Sequence, residues 1–357
     1  MLAAAVRTAA RHAAPWPRAA RVSVRTLTHA TDRVRRALLY VPGSAERMLV
    51  KVRRGRHRSP QSHRLPADTL VYDLEDSVAD HRKGAARELV LQVLCAAPRD
   101  TPELAVRINA PSVDSALATT DLDVVLPSQR LQALVVPKVE TLDDVTLVAQ
   151  RVLSAQSHSS DAPLALLLSV ESACALVHLA GLLPNAQALL SSHPFNGAVE
   201  IAALVFASED YCAATGIRRT PTRSSLLYPR SHIVTVAKAF GLQAIDMVCI
   251  DYKDAAYLAE ECEDGAGLGF DGKQAIHPSQ LAKIRRAFEP SEKELAEAHA
   301  ILDAHNAARE QHRGAVGLEL SERMVAIDAP MLLQAHRTIE RAKGMSVGAS
   351  EKAGERQ

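Results

Sequence analysis

Short runs of β-branched and aliphatic residues recur along the chain, separated by stretches of helix length. The runs are ALLYV (37–41), TLVYDL (69–74), LAVRI (104–108), ALVVPK (133–138), LALLLSV (164–170), AALVFA (202–207), IDMVCI (245–250) and KQAI (273–276). Most are continuously apolar rather than alternating, the pattern of strands covered on both faces in a parallel sheet. Between them, segments such as DHRKGAARELVLQVLCAA, TLDDVTLVAQRVLSAQ and PRSHIVTVAKAFG place apolar residues at helical spacing. Eight such units predict an α/β protein, a (β/α)8 or TIM barrel. A doubly wound open sheet would give the same alternation, but no GxGxxG turn follows the first strand, which weakens a nucleotide-binding version of that fold.

A barrel of this kind carries its chemistry at the C-terminal ends of its strands. Those ends hold Tyr40 with Pro42 and Gly43, then Asp73, Glu75 and Asp76, then Arg107 and Asn109, and then Lys138 and Glu140. Glu171, Glu209 with Asp210, Asp251 with Asp254, and His277 complete the circuit. Any single acid among them is explained as a cap that accepts the free N–H groups of the next helix. The full set asks for more. Converging carboxylates without a histidine or thiolate cluster suit a hard cation that prefers oxygen, Mg2+ rather than Zn2+.

Beyond the eighth strand, helical patterns at about 291–312 and 328–342 flank a Gly-containing segment. A barrel closes without them, so this extension is expected to pack on its outside or on a neighbouring subunit. Asp328, in VAIDAP, stands at the start of the second helix. The expected division is a leader at 1–31, a catalytic barrel at 33–290 and a helical extension at 291–345.

Composition narrows the function. The chain has 357 residues, 47% hydrophobic and 23% charged, with a formal net charge of +1. Such a balance gives neither nucleic acid nor a membrane surface an average field to follow. No continuous apolar run of bilayer length stands out. The five cysteines are odd in number and lack CxxC spacing, which reads as reduced, buried thiols rather than a disulfide framework. Residues 1–31 carry Arg7, Arg11, Arg18, Arg21 and Arg25 and no acid, the pattern of a mitochondrial transit peptide that addresses the matrix.

The ordered motifs RRALLYVPGSAERMLVKV, DTLVYDLEDSVADHRKGAAR, VRINAP, VVPKVE, SVESA, LVFASEDYCAATGIRRT, YPRSHIVTVAKAFGLQAIDMVCIDYKD, GFDGKQAIHPSQ and VAIDAPML resemble the citrate lyase β-subunit-like proteins of the HpcH/HpaI aldolase superfamily. The resemblance covers about residues 33–343. It implies a Mg2+-dependent homotrimeric barrel that makes or breaks a carbon–carbon bond between a CoA thioester and an α-keto acid. Carried over by motif, Glu171 and Asp210 would bind the metal and Arg107 would hold the substrate carboxylate. Tyr40, Arg47 and Lys51 would meet CoA. Asp328 would exchange a proton with the acetyl-CoA methyl group, reaching in from an adjacent subunit. Asp73, Glu75, Asp76 and Lys138 would stand behind these, orienting bound water and positioning Arg107.

The reaction this implies is cleavage of citramalyl-CoA to acetyl-CoA and pyruvate. Alternatives on the same scaffold are a malyl-CoA lyase, a malate or β-methylmalate synthase, and a citrate lyase β subunit. An anion-binding protein on a decayed barrel is the alternative of another class. Two departures from the family pattern bear on substrate choice, Ala207 in FASED in place of glycine and Pro229 in LLYPR in place of alanine. The basic run beyond Lys51, with Arg53, Arg54, Arg56 and Arg58, is either a solvated loop or a phosphate contact.

Overall fold

The computed structural model describes residues 30, 33–49, 65–98, 101–155, 163–310, 317–320 and 323–350. All of the leader but residue 30, together with Lys51 and the basic run that follows it, lies outside the described residues. The barrel strands are β1 (Ala37–Pro42), β2 (Thr69–Asp73), β3 (Glu103–Arg107), β4 (Ala133–Val136), β5 (Leu164–Val170), β6 (Val199–Phe206), β7 (Gln243–Asp246) and β8 (Gly272–Ala275). They pair in parallel in that order, and β8 returns to β1 to close the barrel.

Around them lie α1 (Lys83–Cys95), α2 (Ser115–Val125), α3 (Leu142–Ser154), α4 (Ala173–Ser191), α5 (Ser208–Thr215), α6 (Leu227–Ala239), α7 (Ala255–Leu268) and α8 (Leu281–Ala287). Two apolar layers follow from the two faces of each strand. Leu38, Val71, Ala105, Val135, Leu167, Ala203, Val205 and Ile245 form one cluster. Leu39, Leu70, Leu104, Leu134 and Leu166 join the residues of the helix layer, such as Val90, Leu122 and Val148, in the larger one. That is the double covering that continuous apolar strands require.

Local chemistry fixes several boundaries. Asp114, Ser172 and Asp254 cap α2, α4 and α7 by accepting first-turn N–H groups. Thr141 and Asp144 form a reciprocal capping box at α3. Gly43 sits where β1 leaves the barrel; a Cβ there would lie 2.6 Å from the Asp73 carbonyl oxygen, so only glycine allows that approach.

All eight strands fall on the predicted runs, with two displacements: β6 begins three residues early, at Val199, and β7 is shifted towards the N-terminus. The seventh was expected at 245–250, but β7 ends at Asp246. Side chains take the next carbonyls out of the ladder: Lys273 Nζ donates to Met247 O at 2.7 Å, Arg219 Nη2 to Val248 O at 2.8 Å, and Gln280 Nε2 to Cys249 O at 2.9 Å. Past the barrel, α9 (Glu292–Glu310) and α10 (Ala329–Ser350) pack through Ala298, Ile301, Ala335 and Ile339. The Gly-containing segment between them includes an antiparallel pair, β9 (Gly317–Leu320) and β10 (Arg323–Ala326). That pair is absent from the sequence reading, whose run here is too short to separate from the helix that follows.

Two further expectations need correction. Helix α4 is long and apolar enough to cross a membrane by length and composition, yet in the barrel it packs against β6, burying Leu176, Leu179, Leu183 and Leu190. Histidine, proline and asparagine break its apolar run and hid it from a search for continuous hydrophobicity. The cysteines are all free, but only Cys249 and Cys262 are buried, whereas Cys95 and Cys174 are exposed. Apolar neighbours in sequence place a residue on a helix without saying which side it faces.

Candidate active site

The second strand delivers its acids to three different tasks. Asp73, buried at the end of β2, accepts Arg107 Nε at 2.6 Å and Nη2 at 2.7 Å. It also accepts the amides of Glu75 and Ser77 at 3.0 and 3.1 Å. Burial alone would raise its pKa; the guanidinium and these donors hold it below the ordinary carboxylate value. Lys83, buried on the first turn of α1, donates to the carbonyls of Leu74 and Glu75 and to Asn109 Oδ1. The acidic turn is therefore pinned by a lysine on the helix that follows it and by an arginine at the end of the neighbouring strand, β3.

Glu75 faces two cations. Its Oε1 lies 2.7 Å from Lys138 Nζ and its Oε2 lies 3.1 Å from Arg107 Nη1, the latter without hydrogen-bond alignment. Burial nevertheless pushes its carboxyl up to about 7, against Arg107 and Lys138, with Glu171 and Asp76 adding to the rise. Lys138 reaches Glu75 from a left-handed backbone conformation, φ 51°, the sort of strain that persists where the surroundings dictate it. Burial opposes its charge, but Glu75 and Asp76 push its pKa up to about 12. Asp76, the most exposed of the three acids, stands 3.8 Å from Arg107 and 3.7 Å from Lys138. Arg107 also lies over the Tyr40 ring, 5.2 Å from its centroid. Burial raises the Tyr40 phenol above its ordinary value.

Glu171 differs from all of these. It follows β5 directly and is 3% exposed, yet neither carboxylate oxygen has a hydrogen-bond partner of ordinary geometry. Burial and the Asp210 charge raise its pKa, partly offset by the nearby Ser169 hydroxyl, Lys138 and Arg107. Leaving a buried carboxylate unpaired costs several kcal/mol. Asp210, half-buried in the first turn of α5, is the neighbour that makes the deficit worse rather than better. Ala207, which precedes that turn, has φ −93° and ψ 86°, angles that alanine adopts without needing the freedom of glycine.

Glu171, with two unpartnered oxygens, and Asp210, whose charge is felt there, offer carboxylate oxygens of the kind a Mg2+ ion could take, because that ion commonly takes one or two carboxylates and keeps its other positions for water and substrate. Among the described residues no group of three or more His, Cys, Asp or Glu side chains has the arrangement of a metal cage.

The other predicted residues are less gathered. Arg47 is exposed on a short helical turn beyond β1. Asp328 caps α10, its Oδ1 accepting Met331 N at 2.9 Å, and it is exposed. A cavity of about 710 Å3 opens beside the acidic turn, lined by Glu75, Asp76, Lys83, Asn109, Val113 and Lys138 among others. A second, of about 410 Å3, lies between α3 and α4 near His178 and Asn185, away from the paired carboxylates. The first adjoins the ionisable cluster, so it is the one the chemistry supports. Lys83 and Arg219, which hold the two acidic turns, were missed by the sequence reading; the only signal for Lys83 was its place in the basic cluster after the turn.

Residues 36–278 match the family model HpcH/HpaI aldolase/citrate lyase. The mitochondrial citramalyl-CoA lyase of Homo sapiens is 35% identical over 307 residues, 85% of this chain and 84% of that one. The citrate lyase subunit beta of Escherichia coli (strain K12) is 29% identical over 320 residues, 89% of this chain and 96% of that one. Among solved structures, the protein CitE of Mycobacterium tuberculosis, in complex with magnesium, acetoacetate and coenzyme A, superposes with a TM-score of 0.62. The two are 28% identical, and the match covers 87% of this chain and 99% of that one. The chain is an enzyme of the lyase kind and belongs to the HpcH/HpaI aldolase/citrate lyase family.

Proposed function

We propose that this enzyme is a Mg2+-dependent lyase that cleaves citramalyl-CoA to acetyl-CoA and pyruvate in the mitochondrial matrix, with residues 1–31 as the address. The observation that carries the reading is the buried carboxylate of Glu171, whose two oxygens lack hydrogen bonds and face the charge of Asp210. Glu171 and Asp210 would hold the ion, and Mg2+ so bound would supply a Lewis acid for the oxygen on which charge changes as the carbon–carbon bond parts.

The chain's own residues divide the remaining work. Arg107 is locked by Asp73 along its Nε–Nη2 edge, which leaves Nη1 for the substrate carboxylate. Glu75 now occupies that side, so substrate would enter by displacing it or by binding its protonated form. Lys138, held against Glu75, offsets part of the acidic charge that an anionic substrate would meet at the mouth. Cleavage turns the substrate hydroxyl into the pyruvate carbonyl, its proton passing to a base at the mouth, and leaves a thioester enolate, which must take up a proton on carbon to become acetyl-CoA. Asp328 is the donor in this reading, brought by α10 of a neighbouring copy in a homotrimer; among the described residues of its own chain its side chain caps that helix. Tyr40, Arg47 and Lys51 would meet the CoA portion.

An assay of the purified protein with citramalyl-CoA and malyl-CoA, with Mg2+ and with EDTA, tests the reading directly. The expected result is turnover of citramalyl-CoA that EDTA abolishes, and an Asp328→Asn variant that binds substrate without cleaving it. Full activity in EDTA would remove the metal, and an active Asp328→Asn variant would remove Asp328 from the proton step. Preference for malyl-CoA would move the assignment to the malyl-CoA lyase alternative, a choice that turns on one methyl group and about 1–3 kcal/mol.

A further inference from the structure

We propose that Arg219 is a positioning residue for the Asp210 carboxylate, stapling the first turn of α5 to a chain of buried ion pairs behind β7 and β8. The inference rests on the reading of Glu171 and Asp210 as the cation site and adds the device that sets one of the two in place.

Helix α5 has eight residues, and its N-cap, Ala207, offers no side-chain acceptor. A helix so short is not stable by itself, so something else must fix the turn that presents Asp210. Arg219, 11% exposed, does this from the segment that follows the helix. Its Nη1 donates to Glu209 Oε1 at 2.6 Å and to Ser208 Oγ at 3.3 Å, both in that first turn. Its Nη2 donates to Val248 O at 2.8 Å, beyond β7, and to Glu261 Oε1 at 2.5 Å, on α7.

The far end of the staple is rigid. Glu261 is fully buried, with Oε2 2.9 Å from Lys273 Nζ on β8. Lys273, also fully buried, lies 3.5 Å from Asp246 Oδ2 on β7. Asp246 in turn accepts Arg230 Nε at 3.1 Å and Nη2 at 2.9 Å from α6. Each charge in this series has an opposite neighbour, which is the condition for keeping it buried.

Arg219 thus sorts two adjacent carboxylates. Glu209 is turned to the guanidinium and neutralised. Asp210, one residue on, is left as the acid whose charge is felt at Glu171. A planar fork that serves four acceptors on three elements cannot be copied by a single ammonium.

Titration of the purified full chain with Mn2+, followed by electron paramagnetic resonance without substrate, tests the proposal alongside hydrogen exchange of residues 208–215 in metal-free protein. Glu209→Gln should weaken Mn2+ binding about fivefold, as expected for losing one partly exposed ion pair. It should speed exchange in α5 while leaving Tm unchanged, and leave KM for citramalyl-CoA unchanged at saturating metal. Arg219→Met should weaken Mn2+ binding further, with Arg219→Lys recovering part of the loss. If Arg219→Met does not fold, Glu209→Gln still decides, since Glu209 is exposed. Mn2+ affinity and exchange at wild-type levels in Glu209→Gln and Arg219→Lys, with binding lost in Asp210→Asn, would overturn the staple and leave the cation site standing. Unchanged Mn2+ binding in Asp210→Asn would overturn both.

Discussion

The two ends of the barrel are built from the same chemistry and differ in what they leave over. At the N-terminal end, Arg35 Nε and Nη2 grip Glu103 at 2.7 and 2.6 Å, and Arg35 Nη1 is used up by Ala30 O and Gln243 Oε1, both at 2.9 Å. Thr69 Oγ1 adds a hydrogen bond to Glu103 at 2.8 Å, and both charged side chains are 1% exposed. At the C-terminal mouth, Arg107 grips Asp73 in the same two-pronged way. There the acids outrun the donors, and Glu75 Oε2 and both oxygens of Glu171 lack hydrogen bonds. A fold can carry buried charge when every lone pair is met. Where it carries an acid whose lone pairs are not met, structure is not the reason for the acid.

The largest effects should come from breaking each end in turn. Glu171→Gln is expected to lower kcat/KM by about a thousandfold or more, the scale of losing a transition-state electrostatic contact. The same change should raise the Tm of the metal-free protein, because a neutral amide replaces an unpaired buried acid. A variant that lost both activity and stability would mean that Glu171 is structural. The opposite pattern belongs to the other end. Glu103→Gln leaves Arg35 buried without its counter-charge and should cost about 3–5 kcal/mol in denaturant unfolding. The fraction that folds should keep wild-type kcat and KM; a tenfold fall in kcat would show that the two ends are coupled.

A smaller effect separates charge from shape within the mouth. Arg107→Lys keeps the positive charge but gives up the fork that meets Asp73. It should lower kcat/KM about ten- to a hundredfold, mostly through KM, since a point charge cannot hold Asp73 and a substrate carboxylate together. A wild-type KM in this variant would remove Arg107 from substrate recognition.

Much of this contrast was legible in the sequence, and the reason is periodicity. Apolar runs separated by helices located all eight strands, and a barrel then places residues 73–76, 107, 138, 171 and 210 at one end without further information. What could not be read were interactions whose partners lie far apart in the chain. Lys83 looks like one member of a basic cluster, yet it is buried against the carbonyls of Leu74 and Glu75. Arg219 sits in a turn-rich segment, and its partners at 209, 248 and 261 come together only after folding. The early end of β7 has the same origin, since arginine, lysine and glutamine side chains from elsewhere claim its carbonyls. The role of Asp328 lies further still from sequence and single chain alike, because the proposed site needs a second copy.

The finest test of the comparison is the pH dependence of the mouth, and Glu75 decides its sign. Its carboxyl is raised by burial to about 7 from an ordinary value of 4.5. A raised folded-state pKa means that the associated stability is fully present below about 4.5 and is lost as pH rises through about 7. Arg107 and Lys138 limit that loss, while Glu171 and Asp76 enlarge it. Metal-free protein should therefore melt at a lower temperature at pH 8 than at pH 5, and Glu75→Gln should flatten the difference by about 1–2 kcal/mol, or several degrees. Glu103, held below the ordinary carboxylate value by Arg35 despite its burial, works in the opposite direction. Its stability is present above its unfolded pKa and is lost only in acid, so Glu103→Gln should leave the slope between pH 5 and pH 8 unchanged. Parallel melting curves for wild type and Glu75→Gln across that window would mean that the mouth is as well compensated as the base, and the distinction between the two ends would rest on Glu171 alone.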